Sequence, residues 1–329
     1  MNILGIESTA HTIGIGIVID TKIVANEKYT FTTQSQGMIP AQVADELESN
    51  VAIVFKRALK KSTLQISQID AIAYSNSPGI GHCLRIGSIF AKSLARNLNV
   101  PLIPVNHCVA HLEIARTLGK LEDPLLVYAS GANTQLIAFN EGRYRIFGET
   151  LDNGIGNFLD GLGRHFDLGF PAGPKIEQLA KTGNYIGGPY TVKGLDVSFS
   201  GLQTHFKNLK GKHKIEDIMH TVQEISFAML TEITERALRH LNKKSVALGG
   251  GVGCNERLQE MLKMMSEDAN CSFFAPEKQY LVDNGAMIAI AGEKIYSASN
   301  NTQLEKYKLV ENAQIKPYQR TDDTPINYR

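Results

Sequence analysis

Two histidines stand four residues apart in the run His107-Cys108-Val109-Ala110-His111. On a helix that spacing puts both imidazoles on one face, where they can share a metal ion. Two packed or surface histidines would show the same spacing. Zinc peptidases carry a glutamate directly after the first histidine of this pattern as general base. Here that position is Cys108, so peptide hydrolysis is disfavoured. A further ligand has to come from elsewhere, and Asp283, at the start of a helical pattern, is a carboxylate that could supply it or could equally cap the helix.

A second chemistry is suggested by glycine-rich and small-residue turns. Residues 249–253, Gly-Gly-Gly-Val-Gly, follow an apolar strand and open a helix, so their backbone can approach a phosphate that a Cβ would exclude. The spacing matches neither the dinucleotide fingerprint nor the Walker pattern, and a tight β-to-α turn would read the same way. The turns at residues 7–9 and 130–134 could close on the same nucleotide. Asp160 and Glu177, in a stretch rich in glycine and proline, could accept hydrogen bonds from ribose hydroxyls; each could also cap a helix or sit in solvent.

These residues need elements to position them. Residues 3–6 are apolar, a polar turn follows, and Ile13, Ile15, Ile17 and Ile19 then alternate, which predicts a β-hairpin. Gly14 and Gly16 inside its second strand mark a place where something approaches the backbone closely. A third strand is expected at 22–26, an amphipathic helix at 41–60, a strand at 69–74, a helix at 85–97 and a strand at 101–105. Asn106 then N-caps the helix that carries the histidine pair. Composition shifts at 119–124, and the strand, small polar turn and strand that follow repeat the opening plan, which suggests an internal duplication. Residues 151–205 read as loops with short helices, the kind of segment that builds sites. A long helix at 215–241, a strand, the glycine turn, a helix and a last helix complete the pattern. The domains expected are an N-terminal lobe, 1–122, carrying the histidine pair, a C-terminal lobe, 123–300, with nucleotide loops, and a polar, peripheral tail, 301–329.

The bulk properties agree with this α/β reading. A chain of 329 residues is enough for about two domains, and 43% hydrophobic with 20% charged residues excludes disorder and collagen. Lys+Arg 34 against Asp+Glu 33 leaves a net charge of +1, which disfavours a strongly basic stand-alone nucleic-acid binder. Cys83, Cys108, Cys254 and Cys271 form no Cys-x-x-Cys pair, so neither a disulfide framework nor a zinc ribbon is suggested. With no leader-like start and no long apolar run, the chain reads as cytoplasmic.

Nine ordered segments carry a closer resemblance: "GIESTAHTIGIGIV", "SPGIGHCLRIG", "NHCVAHLE", "YASGANTQ", "DNGIGNFLDGLGR", "GPKIEQLA", "SFSGLQT", "GGGVGCNERL" and "DNGAMIA". With them the chain resembles the universal tRNA threonylcarbamoyltransferase family, whose archaeal and eukaryotic members are the catalytic subunit of the KEOPS complex. The resemblance implies a two-lobed actin-like ATPase fold with duplicated lobes and a nucleotide cleft between them. It implies one divalent metal ion, iron favoured and zinc the alternative, on His107, His111, Asp283 and Tyr128. Nucleotide or acyl-adenylate contacts map onto Tyr128, Ala129, Ser130, Gly131, Ala132, Asp160, Gly173, Glu177 and Asn255, with ATP or threonylcarbamoyl-AMP in the cleft and Mg²⁺ as an optional companion. The implied partners are tRNA, a small kinase-like ATPase, a small dimerising subunit and a regulatory subunit, and no membrane. Bacterial relatives carry acidic residues at His11-Thr12, which makes His11 a candidate base. The chain departs from the family pattern at Ala132 and Ala172, where glycine is usual, and at Gln203, where lysine is usual. Competing readings are a small-molecule kinase on the same fold and a non-enzymatic ATP-binding scaffold.

Overall fold

The second strand of the opening hairpin is buried on both faces, its isoleucines on one and Gly14, Gly16 and Val18 on the other, so it must be covered twice. A computed structural model describing residues 1–33 and 38–329 shows how. The first half runs β1 (Asn2–Glu7), β2 (Thr12–Ile19), β3 (Lys22–Thr30), α1 (Pro40–Ser62), β4 (Ala71–Ser77), α2 (Gly81–Leu98), β5 (Leu102–Asn106) and α3 (His107–Leu118). The second half opens with β6 (Leu125–Ala129), β7 (Thr134–Asn140) and β8 (Arg143–Glu149). Then come α4 (Ile155–His165), α5 (Gly173–Ala180), a small hairpin of β9 (Val192–Lys193) and β10 (Asp196–Val197), α6 (Ser200–Lys207) and α7 (Ile215–His240). The chain closes with β11 (Ser245–Gly249), α8 (Glu256–Asp268), β12 (Ser272–Phe274), α9 (Lys278–Leu281), α10 (Gly285–Ala298) and α11 (Asn301–Lys308).

The two halves share one plan. Their five-stranded sheets are ordered β3-β2-β1-β4-β5 and β8-β7-β6-β11-β12, an antiparallel meander followed by two parallel strands in each. On the first sheet, Ile13, Ile15 and Ile17 pack with Val43, Leu47 and Val51 of α1 and Ala91 of α2. The opposite face, with Ile3, Val18 and Ala73, packs on Ala286, Met287 and Ile290 of α10 and on Ile114 of α3. Val109, Leu112 and Ala115 of α3 face the second sheet instead, against Leu126, Ile137 and Ala247. Helix α3 is therefore wedged between the lobes, with its histidines at their junction.

Two packing facts differ from the sequence expectation. Helix α10 lies within 123–300 yet covers the first sheet, so the chain returns to its first lobe after building the second. The tail is not peripheral: Val310, Thr321 and Ile326 are buried, and Arg143 bridges to Pro325 beside β8. Among the described residues, no helix is long and apolar enough to cross a membrane.

The loop after β8 is locked by one carboxylate. Asp152 accepts from the Ser198 hydroxyl and from Phe199 N and Ser200 N, both at 2.9 Å, which satisfies donors at the start of α6. Burial alone would raise this carboxyl; the Ser198 hydroxyl and the backbone donors outweigh it and hold it well below the usual carboxylate range. A depressed folded value means the stabilisation is present above the unfolded carboxyl value and is lost as pH falls toward the folded one. Asp152→Asn is expected to lower the melting temperature at neutral pH and to flatten its decline below about pH 4. Thermal melts across that range check this; parallel acid limbs in both proteins would refute it.

Candidate metal and nucleotide site

The parallel strands deliver their carboxyl ends to one edge, where crevices form in sheets of this kind. Asn106, the last residue of β5, accepts from Val109 N at 3.1 Å and starts α3 as its N-cap, so His107 stands in the first helical turn and His111 one turn later. Their ring centroids are 4.7 Å apart, edge to face. The alternative for Asp283, helix capping, is performed by its neighbour: Asn284 accepts from Met287 N at 3.0 Å and caps α10. Asp283 is left free, and its Oδ1 lies 3.2 Å from His111 Nε2 and 3.5 Å from His107 Nε2.

Behind this trio stands Glu7, fully buried at the end of β1, with Oε2 2.9 Å from His107 Nδ1. Its other oxygen accepts from Thr9 N at 2.7 Å and from the Thr9 hydroxyl. A carboxylate on Nδ1 leaves Nε2 of His107 facing Asp283, the support that metal-ligating histidines ordinarily have. One donor atom from each of His107, His111 and Asp283 lies within 4.8 Å of the others. Burial pulls His107 down, but Glu7 and Asp283 outweigh it and hold the imidazole up at about 9. Burial lowers His111 and would raise Asp283, whose carboxyl the two imidazoles hold well below its ordinary range. Two carboxylates enclosed with two imidazoles make a site whose charge a divalent cation neutralises, so the residues fit a metal. Tyr128, buried on β6, sets its ring 5.3 Å from that of His111, and burial pushes its phenol well above the usual range.

What brings Asp283 here is the glycine face of the hairpin. A Cβ on Gly16 would collide with the backbone of Gly285 and Ala286, one on Gly5 with Ala289 N, and one on Gly14 would lie 2.8 Å from Gly285 N. The first turn of α10 rests directly on β1 and β2, so the close approach read from Gly14 and Gly16 is a helix, not a ligand.

Two cavities open at this edge, of about 340 Å³ and about 580 Å³, both of a size that holds small ligands. The narrower one runs along Lys28, Thr30, Gly173, Glu177, Val252 and Asn255. The wider one reaches His107, Tyr128, Ala132 and the tail at 317–321. His11, Ser130, Gly131, Asp160, Phe170 and Asp283 line both, so the two spaces meet beside the candidate metal ligands.

Around the narrower cavity, Asp160 accepts from Ala172 N at 2.7 Å through one oxygen, and burial raises its carboxyl. Glu177 accepts from Glu256 N at 2.8 Å, joining α5 to the start of α8. Asn255 is the N-cap of α8, accepting from Arg257 N at 2.9 Å and donating to Gln223 at 2.9 Å. A Cβ on Gly173 would meet nothing within 4 Å, which leaves open space at the start of α5. Gly250 has φ +91 and passes against the carbonyl of Ala129, the last residue of β6. In the turn that follows, Ser130 N donates to Asn133 O at 2.9 Å, while Gly131 N and Ala132 N have no acceptor among the described residues. His11 sets its ring edge-on to Phe170, centroids 5.3 Å apart.

Sequence reasoning missed three contributors. Glu7 read only as part of a polar turn, although a carboxylate at the end of a buried strand is a signal. Lys28 lies opposite Gly14 in the β2–β3 register and has no ion-pair partner among the described residues; burial pulls its amine down. Asn26, Lys28 and Thr30, polar at period two opposite Gly16, Gly14 and Thr12, were the stripe that could have revealed it. The third is the tail.

Known proteins resemble the chain along nearly its whole length. Residues 21–290 match the TsaD family model, described as tRNA N6-adenosine threonylcarbamoyltransferase. A protein of that name from Thermococcus sibiricus is 46% identical over 328 residues, 99% of each chain, and one from Methanocella arvoryzae is 43% identical over 98% of each. A probable bifunctional tRNA threonylcarbamoyladenosine biosynthesis protein from Methanosarcina mazei is 44% identical over 99% of this chain and 59% of its own length. Among solved structures, HypF from T. kodakarensis superposes with TM-score 0.63 at 16% identity over 93% of this chain and 48% of its own. Component A of (R)-2-hydroxyglutaryl-CoA dehydratase from Acidaminococcus fermentans gives 0.56 at 13% identity, over 90% of this chain and 99% of its own. These two share the fold alone, and it is the two-lobed actin-like one. With its nearly full-length identity to those relatives, the chain belongs to the TsaD family of tRNA N6-adenosine threonylcarbamoyltransferases.

Proposed function

We propose that this protein transfers the threonylcarbamoyl group of threonylcarbamoyl-AMP to the N6 amine of the adenosine just 3′ of the anticodon in ANN-decoding tRNAs, releasing AMP. The observation that carries this reading is the meeting of two cavities beside His107, His111 and Asp283. A two-substrate transfer needs a donor space and an acceptor space that share a reacting centre. In the step, a bond forms between N6 and the carbamoyl carbon, the bond from that carbon to the phosphate oxygen breaks, and the amine gives up a proton.

The narrower cavity takes the adenylate. Asp160, with one oxygen uncommitted, and Glu177 face its ribose, Asn255 and Gly173 border its base, and its phosphate lies toward the junction with the wider cavity, where the Gly131 and Ala132 N–H groups and the Lys28 ammonium meet it. ATP fits the same contacts, with or without Mg²⁺. A divalent ion on His107, His111 and Asp283, with Tyr128 as a fourth ligand, would supply Lewis acidity toward the carbonyl or phosphoryl oxygens; iron is favoured and zinc is the alternative, since imidazole, carboxylate and phenolate suit both. His11, at the junction of the cavities, is the candidate to receive the amine proton. A buried histidine pair with a carboxylate is foreign to a small-molecule kinase and has no role in a passive scaffold.

With a net charge of +1, much of the grip on tRNA must come from partners, and we assign those to the KEOPS set: a small kinase-like ATPase, a small dimerising subunit and a regulatory subunit. Lys28→Met is expected to weaken binding of the acyl-adenylate or ATP roughly 10–100-fold, the worth of a hydrogen bond to a charged group, with little change in the KM for tRNA. Isothermal titration with nucleotide checks it, and unchanged affinity would remove Lys28 from the phosphate contacts. The function itself is tested by reconstitution with threonylcarbamoyl-AMP, the partner subunits and an ANN-decoding tRNA. Modified adenosine in the digested tRNA is expected; its absence with bound metal verified overturns the reading.

A further inference from the structure

Residues 316–321 cross the junction of the lobes beside the wider cavity and are pinned on both sides. Lys316 N donates to Asn76 O at 2.7 Å and Gly79 N to Pro317 O at 3.1 Å, which ties the start of the segment to the first lobe. Arg320 pairs with Glu149 at 3.3 Å, Thr321 is buried, and Ile326 N donates to Gly142 O at 3.1 Å, which ties the rest to the second. Between the anchors, Gln319 N closes a turn on Lys316 O at 3.1 Å. That turn carries Tyr318 outward with 94% of its surface in solvent, while the same residue lines the cavity whose walls include His107, Tyr128 and Asp283.

An exposed ring alone says little, but this one stands at the wall of a substrate-sized cavity on a segment anchored to both lobes, where it can meet a ligand. The exposed Lys316 brings positive charge to one side of it, while on the other Arg320 is held by Glu149 and Asp322. If the second substrate is RNA, as the transferase reading holds, the acceptor adenine has to leave its stack to bring N6 to the cavity. Unpaired RNA bases are held by stacking on aromatic faces, and a turn fixed before binding loses little freedom when the base arrives. We propose that Tyr318 is the platform on which an unpaired base of the anticodon loop stacks while the acceptor adenine enters the wider cavity. It is a positioning residue for the acceptor and takes no part in holding the adenylate.

The test uses the metal-loaded full chain with its partner subunits and a fluorescently labelled anticodon stem–loop of an ANN-decoding tRNA. Tyr318→Ala should weaken stem–loop binding about tenfold, the scale of one base–aromatic stack, and raise the KM for tRNA in proportion. The KM for threonylcarbamoyl-AMP and the melting temperature should stay at wild-type values, and Tyr318→Phe and Tyr318→Trp should bind RNA nearly as well as wild type. Unchanged stem–loop affinity in Tyr318→Ala overturns the proposal. So does loss of a partner subunit from the Tyr318→Ala complex with RNA affinity intact, which would make the ring a protein contact. Wild-type protein that binds the stem–loop but forms no product would overturn the transferase reading instead, and the binding comparison would still decide the role of Tyr318.

Discussion

Asp283→Ala is expected to strip the protein of its metal and of transfer activity while leaving the fold in place. Among the described residues Asp283 supplies the only carboxylate close to both Nε2 atoms, at 3.2 and 3.5 Å, and Asn284 rather than Asp283 caps α10, so the helix keeps its start. The loss in metal affinity should exceed the roughly 10–100-fold cost of removing a supporting partner. Glu7→Gln provides that comparison: it keeps the side chain's volume but removes the carboxylate on His107 Nδ1, and its affinity should fall within that range. Metal content after dialysis and competition with a chelator measure the metal, a thermal melt the fold and a transfer assay the activity. Wild-type metal content in Asp283→Ala would remove this residue from the site.

Gly16→Ala should have an effect far beyond one methyl group. Its Cβ would be driven into the backbone of Gly285 and Ala286, which, unlike a side chain, cannot swing aside. Helix α10 has to lift from the hairpin, and the buried contacts of Ala286, Met287 and Ile290 with the first sheet loosen with it. Overpacking of this kind costs roughly 1–3 kcal/mol, and backbone against backbone belongs at the upper end. Because Asp283 directly precedes Asn284, the cap of α10, metal affinity should fall together with stability. Gly201→Ala, in α6 where an added Cβ meets nothing within 4 Å, serves as the control and should melt at or slightly above wild type. A wild-type melting temperature for Gly16→Ala would refute the account of how Asp283 is positioned.

The sequence announced what is local. Four-residue spacing behind an asparagine cap showed the histidine helix, and period-two isoleucines showed the hairpin. The repeated strand-turn-strand plan showed the duplication that the two identical sheet orders display. What it hid is non-local. Gly14 and Gly16 signalled a close approach, but the partner, α10, lies some 270 positions away in sequence and belongs by sequence position to the other lobe. The tail's polarity suggested solvent, because a segment held through backbone bonds such as Lys316 N to Asn76 O leaves no apolar pattern. Glu7 and Asp160 owe their roles to His107 and Ala172, neighbours that only the fold supplies.

The most direct test of the central claim is a paired count of AMP released and modified adenosine formed from threonylcarbamoyl-AMP and tRNA, taken as bound metal is titrated from chelator-stripped to full. One AMP for each modified adenosine is expected, with product that rises with metal occupancy, because the two cavities meet beside His107, His111 and Asp283. Full product from the stripped protein, or AMP released without modified tRNA, would contradict it.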